Sequence, residues 1–264
     1  MKTPVIEILS AHKTYANGTQ ALAPVDLDFY AGEFISLIGP SGCGKSTLLK
    51  MVAGLIKPSD GRIKWWHSDQ PSINKSGKKL AFVFQEATLM PWTSILANVR
   101  LPFDLQGVSR KKSNPLALQA LERVGLSANA QQYPRELSGG MQMRVSIARA
   151  LVTQPDLILM DEPFGALDEI TRNYLDEEIR NLSREKNITI IFVTHSVYEA
   201  AFLSDRVIVM ASNPGRVYAD YSVTGDETRN SAYRYSEVFA KNCAKLSELL
   251  HQASLCRQKM AELS

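Results

Sequence analysis

Cysteine is scarce in this sequence, with only Cys43, Cys243 and Cys256 among 264 residues. An odd number of cysteines without paired spacing speaks against a disulfide framework and a zinc site, so we expect a reducing compartment. Long apolar runs are also missing. No stretch approaches the ~20 residues needed to span a bilayer, and residues 1–10 lack the apolar core of a signal peptide. If the protein serves a membrane, another chain must supply the spans.

The sequence also lacks a large excess of charge of one sign, because its net charge is only +3. The densest basic cluster, Arg110-Lys111-Lys112, is typical of a solvated helix start, so we expect no nucleic-acid partner. Hydrophobic residues make up 45% and charged residues 22% of the chain, a globular balance that argues against disorder. The length suits one α/β domain or two closely joined lobes.

Apolar runs typical of buried strands alternate with helical segments along the chain. The runs lie at residues 33–38, 156–160, 188–193 and 206–211, and the helices at residues 46–53, 140–150, 170–186 and 197–203. This alternation predicts an α/β fold with a mainly parallel sheet. Residues 1–38 and 60–84 are expected to contain further strands, with a polar loop at residues 68–79.

Two other regions are predicted to be helical. Prolines at positions 91, 102, 115 and 134 separate the helical stretches of an inserted lobe at about residues 86–150. From residue 231 onward, apolar residues recur at helical spacing, which favours packing over function; they are Phe239, Cys243, Leu246 and Leu250. We therefore assign residues 1–220 to one domain and residues 221–264 to a helical C-terminal extension.

Residues 39–47 match the phosphate-loop pattern G-x-x-x-x-G-K-[ST] and lie between a predicted strand and a predicted helix. Glycines let the backbone curl so that N–H groups and the helix N-terminus point at an anion. Lys45 is expected to reach the β- and γ-phosphates of a nucleoside triphosphate, and the Ser46 hydroxyl to ligate Mg²⁺. The predicted nucleotide-binding residues of this loop are Gly39, Pro40, Ser41, Gly42, Cys43, Gly44, Lys45, Ser46 and Thr47.

Cys43 lies in that loop, at a helix N-terminus and near Lys45. Both features lower the pKa of a thiol and favour attack by the thiolate. The sequence therefore predicts a reactive Cys43, whose modification by a maleimide inactivates the protein and against which ATP protects.

Two carboxylates, Asp161 and Glu162, follow a second buried strand. Ligands bind at the carboxyl edge of a parallel sheet, so this strand brings both side chains to the phosphate loop. Asp161 is predicted to hold Mg²⁺ through water, and Glu162 to polarise the attacking water as a general base. Helix capping is the alternative for such an acidic pair, and the presence of the Lys45 loop argues against it.

The run Leu137-Ser138-Gly139-Gly140 resembles the signature motif of the ABC ATPase family. Met141 stands where the family has glutamine, with Gln142 immediately after, and we assign Met141 no role. Ser138, Gly139 and Gly140 open a helix, so a hydroxyl, two backbone N–H groups and a helix dipole form a second anion site. The resemblance implies a head-to-tail homodimer, in which each signature closes on the ATP held by the other chain.

Four smaller matches to the family follow in the expected order. Gln85 resembles the glutamine that contacts Mg²⁺ and water, and Asp168 ends a Gly-Ala-Leu-Asp loop that crosses the dimer interface in the family. His195 resembles the histidine that hydrogen-bonds the γ-phosphate, and Tyr15 the aromatic residue that stacks on adenine. A core position is the alternative for Tyr15, since aromatic residues near an N-terminal strand are often buried.

The resemblance covers about residues 1–215 and implies the ABC ATPase fold. That fold has a P-loop NTPase core, an N-terminal antiparallel β-subdomain and an inserted helical subdomain. Three stretches are similar to the branch that imports nitrate, sulfonates, taurine or aromatic vitamin precursors; they are Leu89-Met90-Pro91-Trp92 with Asn98-Val99, Phe164-Gly165-Ala166-Leu167-Asp168, and Asn213-Pro214-Gly215-Arg216.

Membership of that branch implies an ATPase at the cytoplasmic face of the inner membrane. It would lie beneath a separate permease, with an extracytoplasmic solute-binding protein as an indirect partner. Trp92 then suits the permease interface, and burial inside the helical lobe is the alternative. The adjacent pair Trp65-Trp66 is expected to pack within the β-subdomain.

Two other functions are compatible with a phosphate loop alone. Soluble ABC ATPases of DNA repair or translation carry coiled-coil insertions, zinc-binding cysteines or tandem cores. This chain has one core, no heptad run between its motifs and no zinc spacing. A nucleotide kinase has no use for the Leu-Ser-Gly-Gly motif or for His195. The sequence therefore favours the motor subunit of a transporter, with ATP and Mg²⁺ as its ligands.

Overall fold

The computed structural model describes residues 3–66, 77–225 and 229–261, and side chains as far as residue 255. Most of the polar loop predicted at residues 68–79 and the side chain of Cys256 lie outside these ranges. The strands are β1 (Pro4–Thr14), β2 (Gln20–Tyr30), β3 (Phe34–Ile38), β4 (Asp60–Trp65), β5 (Leu80–Val83), β6 (Leu157–Asp161), β7 (Thr189–Val193), β8 (Arg206–Ala211) and β9 (Arg216–Ser222). The helices are α1 (Lys45–Val52), α2 (Ile95–Leu105), α3 (Arg110–Arg123), α4 (Gly139–Leu151), α5 (Glu169–Lys186), α6 (Val197–Leu203) and α7 (Glu237–Ala261).

Six strands form the central sheet, in the order β5-β6-β7-β3-β8-β9. The first five strands of that order are parallel, which confirms the mainly parallel sheet, and β9 runs antiparallel to β8. No strand was predicted where β9 lies, and the expected domain boundary at residue 220 falls inside it. The central sheet therefore continues into the segment that was assigned to the C-terminal extension.

Side chains alternate between the two faces of this sheet, and each face has its own core. In β7, Ile190 and Phe192 pack with the helical lobe and with α5, α6 and α7. Ile191 and Val193 pack on the opposite face with α1 and the N-terminal strands. Because both faces are covered, every residue of β3, β6 and β7 is buried. The loops at the ends of these strands remain available for function.

The N-terminal subdomain is a three-stranded antiparallel sheet in the order β2-β1-β4, as predicted. Trp65 of β4 is 6% exposed, and its Nε1 donates a 2.9 Å hydrogen bond to the carbonyl oxygen of Val52. Trp66 is partly buried against the same core. The predicted packing role of both tryptophans is thus confirmed, and Trp65 also fixes the C-terminal end of α1.

Helices α2, α3 and α4 form the inserted lobe. Pro102 lies inside α2 and Pro115 inside α3, so these two prolines do not separate helices as expected. A helix tolerates such a proline when the packing of its apolar face outweighs the lost hydrogen bond. The side chain of Asn98 is fully buried and bonds both the N–H and the carbonyl of Met90, which orders the segment before α2.

The C-terminal extension packs on the central domain instead of standing apart. Phe239 and Leu246 of α7 are buried, and Cys243 and Leu250 are partly buried. The predicted packing role of this helical stripe is therefore confirmed. Tyr233, in the short turn Ser231–Tyr235 before α7, is buried in the same core.

Candidate functional site

The carboxyl ends of four neighbouring strands meet at one cleft of about 360 Å³. β3 leads into the phosphate loop, β6 ends at Asp161 beside Glu162, and β7 and β5 lead to His195 and Gln85. The cleft is lined by Ala21, Ser41, Gly42, Cys43, Gly44, Lys45, Ser46, Thr47, Gln85, Glu162 and His195. The sheet thus brings together most residues that were predicted to bind phosphate, metal and water.

Two glycines of the phosphate loop are required by its tight curl. A Cβ atom at Gly39 would lie 2.6 Å from the carbonyl oxygen of Met210, and one at Gly44 would lie 2.8 Å from that of Ala21. Gly44 also has a φ of 90°, in the left-handed region that favours glycine. The first turn of α1 has N–H groups without intrahelical partners, so the helix end at this cleft is suited to an anion.

Lys45 supplies a positive charge inside that loop. Its side chain is only 5% exposed, and Nζ donates hydrogen bonds to the carbonyl oxygens of Gly39 at 2.8 Å and of Pro40 at 3.1 Å. Neutral carbonyls solvate the ammonium without cancelling its charge. A phosphate in the cleft therefore meets both a cation and a helix N-terminus.

Ser46 and Asp161 form an oxygen-rich pair beside the cleft. Oγ of Ser46 donates a 2.9 Å hydrogen bond to Oδ1 of Asp161. Burial raises the pKa of Asp161; the bond from Ser46 opposes this rise and the charge of Glu162 adds to it. The described residues hold no group of three His, Cys, Asp or Glu side chains that could bind a metal alone. Mg²⁺ is commonly held by one or two carboxylates plus substrate phosphates, so this pair fits that ion.

Glu162 and His195 contact each other within the cleft. Nε2 of His195 lies 2.6 Å from Oε1 of Glu162. Glu162 has a φ of 50°, an uncommon conformation for a residue with a side chain, and its N–H donates to the carbonyl oxygen of Val193 at 3.0 Å. Such strained positions occur at functional sites. The two side chains are placed to act on the same water or phosphate oxygen.

A buried glutamate that was not predicted lies behind His195. Glu199 is 6% exposed and accepts a short hydrogen bond from the Thr194 hydroxyl, which itself accepts from the N–H of Ser196 at 2.9 Å. Nε of Arg172, on α5, lies 3.4 Å from Oε1 of Glu199. A glutamate in the otherwise apolar α6 is the sequence signal that could have found it.

Tyr15 lies at the rim of the phosphate loop. Its side chain is exposed, with 42% of the residue accessible, and its hydroxyl lies 3.3 Å from Oγ1 of Thr47. The alternative of a core position is therefore wrong. An exposed ring beside the loop is available for stacking on a planar base.

The signature residues Ser138, Gly139 and Gly140 do not line this cleft. Oγ of Ser138 caps α4 by accepting from the N–H of Met141 at 3.3 Å, and a Cβ at Gly140 would lie 3.0 Å from the side chain of Leu167. Nε2 of Gln142 donates to the carbonyl oxygens of Pro134 and Leu137. Gln142, one position after the glutamine of the family motif, thus closes the turn ahead of the signature.

Asp168 begins α5 in the predicted loop. Its carboxylate accepts from the N–H of Thr171 at 2.9 Å, and this backbone bond lowers the pKa of Asp168. Asp168 is exposed and does not line the cleft. Like the signature, it is placed on the surface of the chain and outside the phosphate pocket.

The predicted lowering of the Cys43 thiol pKa is wrong. The thiol is fully buried behind the phosphate loop, and burial raises its pKa, although Lys45 opposes that rise. The effect of the helix N-terminus and of a nearby cation was expected to dominate. Removal of the sulfur from water outweighs both, because it penalises the thiolate.

Trp92 is 74% exposed at the start of the inserted lobe. Burial inside the lobe, one of the two alternatives for this residue, is therefore wrong. A large exposed aromatic residue is typical of a contact surface.

The sequence is similar to those of known ATP-binding proteins. The model of the ABC transporter family matches residues 22–165. An uncharacterised ABC transporter ATP-binding protein of Methanocaldococcus jannaschii is 42% identical over 217 residues, 82% of this chain and 80% of its own length.

Two relatives carry the names of import systems. The taurine import ATP-binding protein TauB of Rhizobium johnstonii is 41% identical over 245 residues, 90% of this chain and 91% of its own length. The aliphatic sulfonates import ATP-binding protein SsuB of Bacillus licheniformis is 44% identical over 201 residues, 76% of each chain.

Solved structures resemble the fold. The cassette MJ0796, in a dimeric post-hydrolysis state bound to ADP and Pi, superposes with a TM-score of 0.74 at 34% identity. A second dimeric structure of that cassette gives a TM-score of 0.76 at 34% identity. Each match covers 84% of this chain and 100% of the other.

Proposed function

Because this chain belongs to the ABC transporter family, in which it is an ATPase of the importer branch, we propose that it drives uptake of a small solute through a separate membrane permease. The names of its relatives support a sulfonate or a taurine-like compound as that solute. Nitrate and aromatic vitamin precursors are the alternatives that the motifs of this branch leave open.

One observation carries the catalytic part of this proposal. Lys45, Glu162 and His195 line a single cleft. Ser46 lines it too, and its hydroxyl donates a hydrogen bond to Asp161. A phosphate-binding helix end, a metal-binding oxygen pair and a base-histidine pair are the parts that phosphoryl transfer to water requires. We infer that the γ-phosphate of ATP lies between Lys45 and Glu162.

The roles of the residues follow from their chemistry. Lys45 and the N–H groups of α1 bind the phosphates, and Tyr15 stacks on adenine. Glu162 accepts a proton from water as the water oxygen bonds to the γ-phosphorus and the bond to ADP breaks. His195 hydrogen-bonds the transferred phosphoryl group and orients Glu162. Mg²⁺, held by Ser46, Gln85 and Asp161, would neutralise developing phosphate charge.

A homodimer completes each site in this proposal. The N-terminal end of α4, at Ser138, does not line the cleft of its own chain. The dimeric state of the related cassette supports a second chain as the donor. Ser138, Gly139 and Gly140 of one chain would then meet the ATP of the other, with Asp168 at the interface.

The proposed location is the cytoplasmic face of the inner membrane, where the chain docks on its permease. Among the helices of the described ranges, none is long and apolar enough to cross a bilayer. Trp92 supplies an exposed aromatic contact, and an extracytoplasmic binding protein would deliver the solute. No nucleic acid enters this proposal.

Copurification tests the transport function. The chain is expressed with and without the proposed permease and solute-binding protein, and membranes are separated from the soluble fraction. We expect the chain in membranes only when the permease is present, and mass spectrometry of the purified complex to identify the bound solute. A chain that stays in the same fraction with or without the permease would contradict the proposal.

A further inference from the structure

The short loop that carries His195 is closed on both sides by hydrogen bonds. Thr194, before the histidine, donates from its hydroxyl to Oε2 of Glu199 and accepts from the N–H of Ser196 at 2.9 Å. The hydroxyl of Ser196, after the histidine, accepts from the N–H of Glu199 at 3.2 Å. The position of the His195 imidazole therefore depends on the position of Glu199, which is bonded to the residues on both sides of the histidine.

Glu199 lies in a buried cluster of charges. Burial raises its pKa, whereas the Thr194 bond and the charges of Arg172 and Arg234 oppose the rise and Glu162 adds to it. Nε of Arg172 is 3.4 Å away, and Arg172 also donates to the carbonyl oxygen of Leu167 at 2.8 Å. A buried carboxylate of this kind needs cations nearby to stay ionised.

One of these cations comes from the C-terminal extension. Arg234 lies with its guanidinium carbon 3.7 Å from the ring centroid of Phe202, on α6. Its Nη2 donates a 2.7 Å hydrogen bond to Oδ2 of Asp176, on α5. Arg234 thus packs against the helix of Glu199 and spans to the helix of Arg172.

A second arginine of the extension holds the other end of α6. Arg229 is 2% exposed, and its Nη1 donates to the carbonyl oxygens of Ala201, Phe202 and Ser204 at 2.7 to 3.0 Å. These groups are the C-terminal carbonyls that a helix leaves without intrahelical donors. The extension therefore fixes both the C-terminal end and the charged side of the helix that follows His195.

We propose that Glu199 is a positioning residue for His195 and that Arg234 of the C-terminal extension acts on the ATPase site through it. This inference rests on the proposed role of His195 in ATP hydrolysis. Glu199 does not line the cleft, so it shapes the histidine loop without touching the nucleotide. The C-terminal extension then influences the position of His195, in addition to covering the core.

The test reads His195 directly in the full-length chain labelled with ¹³C-histidine. The ring signal is assigned with His195→Gln. Glu199→Gln preserves size and hydrogen bonding but removes the charge that Arg172 and Arg234 balance. We expect the His195 signal to shift, and kcat for ATP to fall about tenfold, as for loss of a group that orients a functional side chain. KM should stay within about twofold, because the binding contacts remain.

A double-mutant cycle tests the role of the extension. Arg234→Met keeps the apolar stem on Phe202 and removes the charge; it should shift the His195 signal in the same direction as Glu199→Gln. The double variant should be no worse than the more severe single variant, since residues of one network are not additive. Lys241→Met, which removes an exposed charge of α7, is the matched control and should match wild type.

Three results would overturn the inference. The first is an unchanged His195 signal in a folded Glu199→Gln protein. The second is full additivity of the two substitutions, which would mean that Arg234 acts independently of Glu199. If Arg234→Met does not fold, Arg234→Lys replaces it, because lysine keeps the positive charge. The third result is then a shift of the His195 signal in Arg234→Lys that is as large as the shift in Glu199→Gln. Absence of ATPase activity in the wild type would instead count against the proposed function, because the His195 signal is measured without turnover.

Discussion

Nε2 of His195 lies 2.6 Å from Oε1 of Glu162, although the two residues follow different strands of the sheet. β6 and β7 are neighbours, and Asp161 pairs with Val193 across them. The register of two parallel strands therefore places the proposed base beside the proposed phosphate sensor. This pair leads to the first prediction.

Glu162→Gln should separate ATP binding from hydrolysis. Glutamine preserves size and polarity but cannot accept the proton of the attacking water, so hydrolysis should fall by at least about 100-fold. ATP should still bind, and the dimer should persist because it is no longer opened by hydrolysis. Size-exclusion chromatography with ATP measures the dimer. Glu122→Gln, an exposed change on α3, is the control, and a monomer peak like that of wild type would refute the assignment of Glu162.

Cys43 should be protected from thiol reagents by the fold itself. Its thiol has no exposed surface, and burial raises its pKa. N-ethylmaleimide at pH 7.5 should modify Cys43 at least about tenfold more slowly in the native protein than in urea. Peptide mass spectrometry measures both rates. Equal rates, or inactivation that Cys43→Ser abolishes, would restore the reactive thiol that the sequence predicted.

Asp176 should make the stability of the protein depend on pH. Burial raises its pKa to about 7 despite the bond from Arg234. The folded state therefore binds this proton more tightly than the unfolded chain, and the stability that the protonated carboxyl contributes at low pH is lost as the pH rises towards 7. The difference in unfolding free energy between wild type and Asp176→Asn should decrease between pH 4 and 7, by at most about 1.4 kcal/mol per pH unit. Urea titrations at several pH values measure it, and a constant difference would contradict the prediction.

Two inactive variants should complement each other if each site is shared between chains. Lys45→Ala removes the cation that binds phosphate, and Ser138→Arg fills the proposed closing surface at an exposed position. In a mixed dimer, one site collects both defects and the other collects neither. ATP-dependent cross-linking between differently tagged chains should therefore recover in the mixture, while hydrolysis recovers less because one site is inactive.

The control for that mixture is the double variant combined with wild type. If sites are shared, each site of that mixed dimer carries one defect, so ATP-dependent cross-linking between the two chains should not recover. If each site is instead formed within one chain, every chain of the first mixture has a defective site. Cross-linking equal to the sum of the separate variants would then result.

The parts of the site that could be predicted from sequence depend on local order. The phosphate loop lies between one strand and one helix, and Asp161 and His195 each end a buried strand, so parallel pairing brings them to one edge. β9 was missed because none of its residues is buried and exposed residues alternate with partly buried ones from Val217 onward, so its apolar pattern is weak.

Other features depend on contacts between residues far apart in the chain. Cys43 is buried in the same cluster as Met210, which is distant in sequence, and the Glu199–Arg172 pair joins two helices that share no motif. The stripe of α7 indicated packing but not its partner. Local periodicity specifies which face of a helix is apolar, whereas the partner of that face is set by the whole fold.

The cap that Arg229 forms on α6 has a consequence for synthesis. Arg229 is synthesised 34 residues after His195, and domains generally fold as units. Until Arg229 is synthesised, the carbonyls of Ala201 and Phe202 lack this arginine donor, whereas Arg180 can already donate to the carbonyl of Leu203. Because β8, which pairs with the phosphate-loop strand β3, and Arg229 both follow His195 in the chain, the site is completed only after the start of the C-terminal extension has been synthesised.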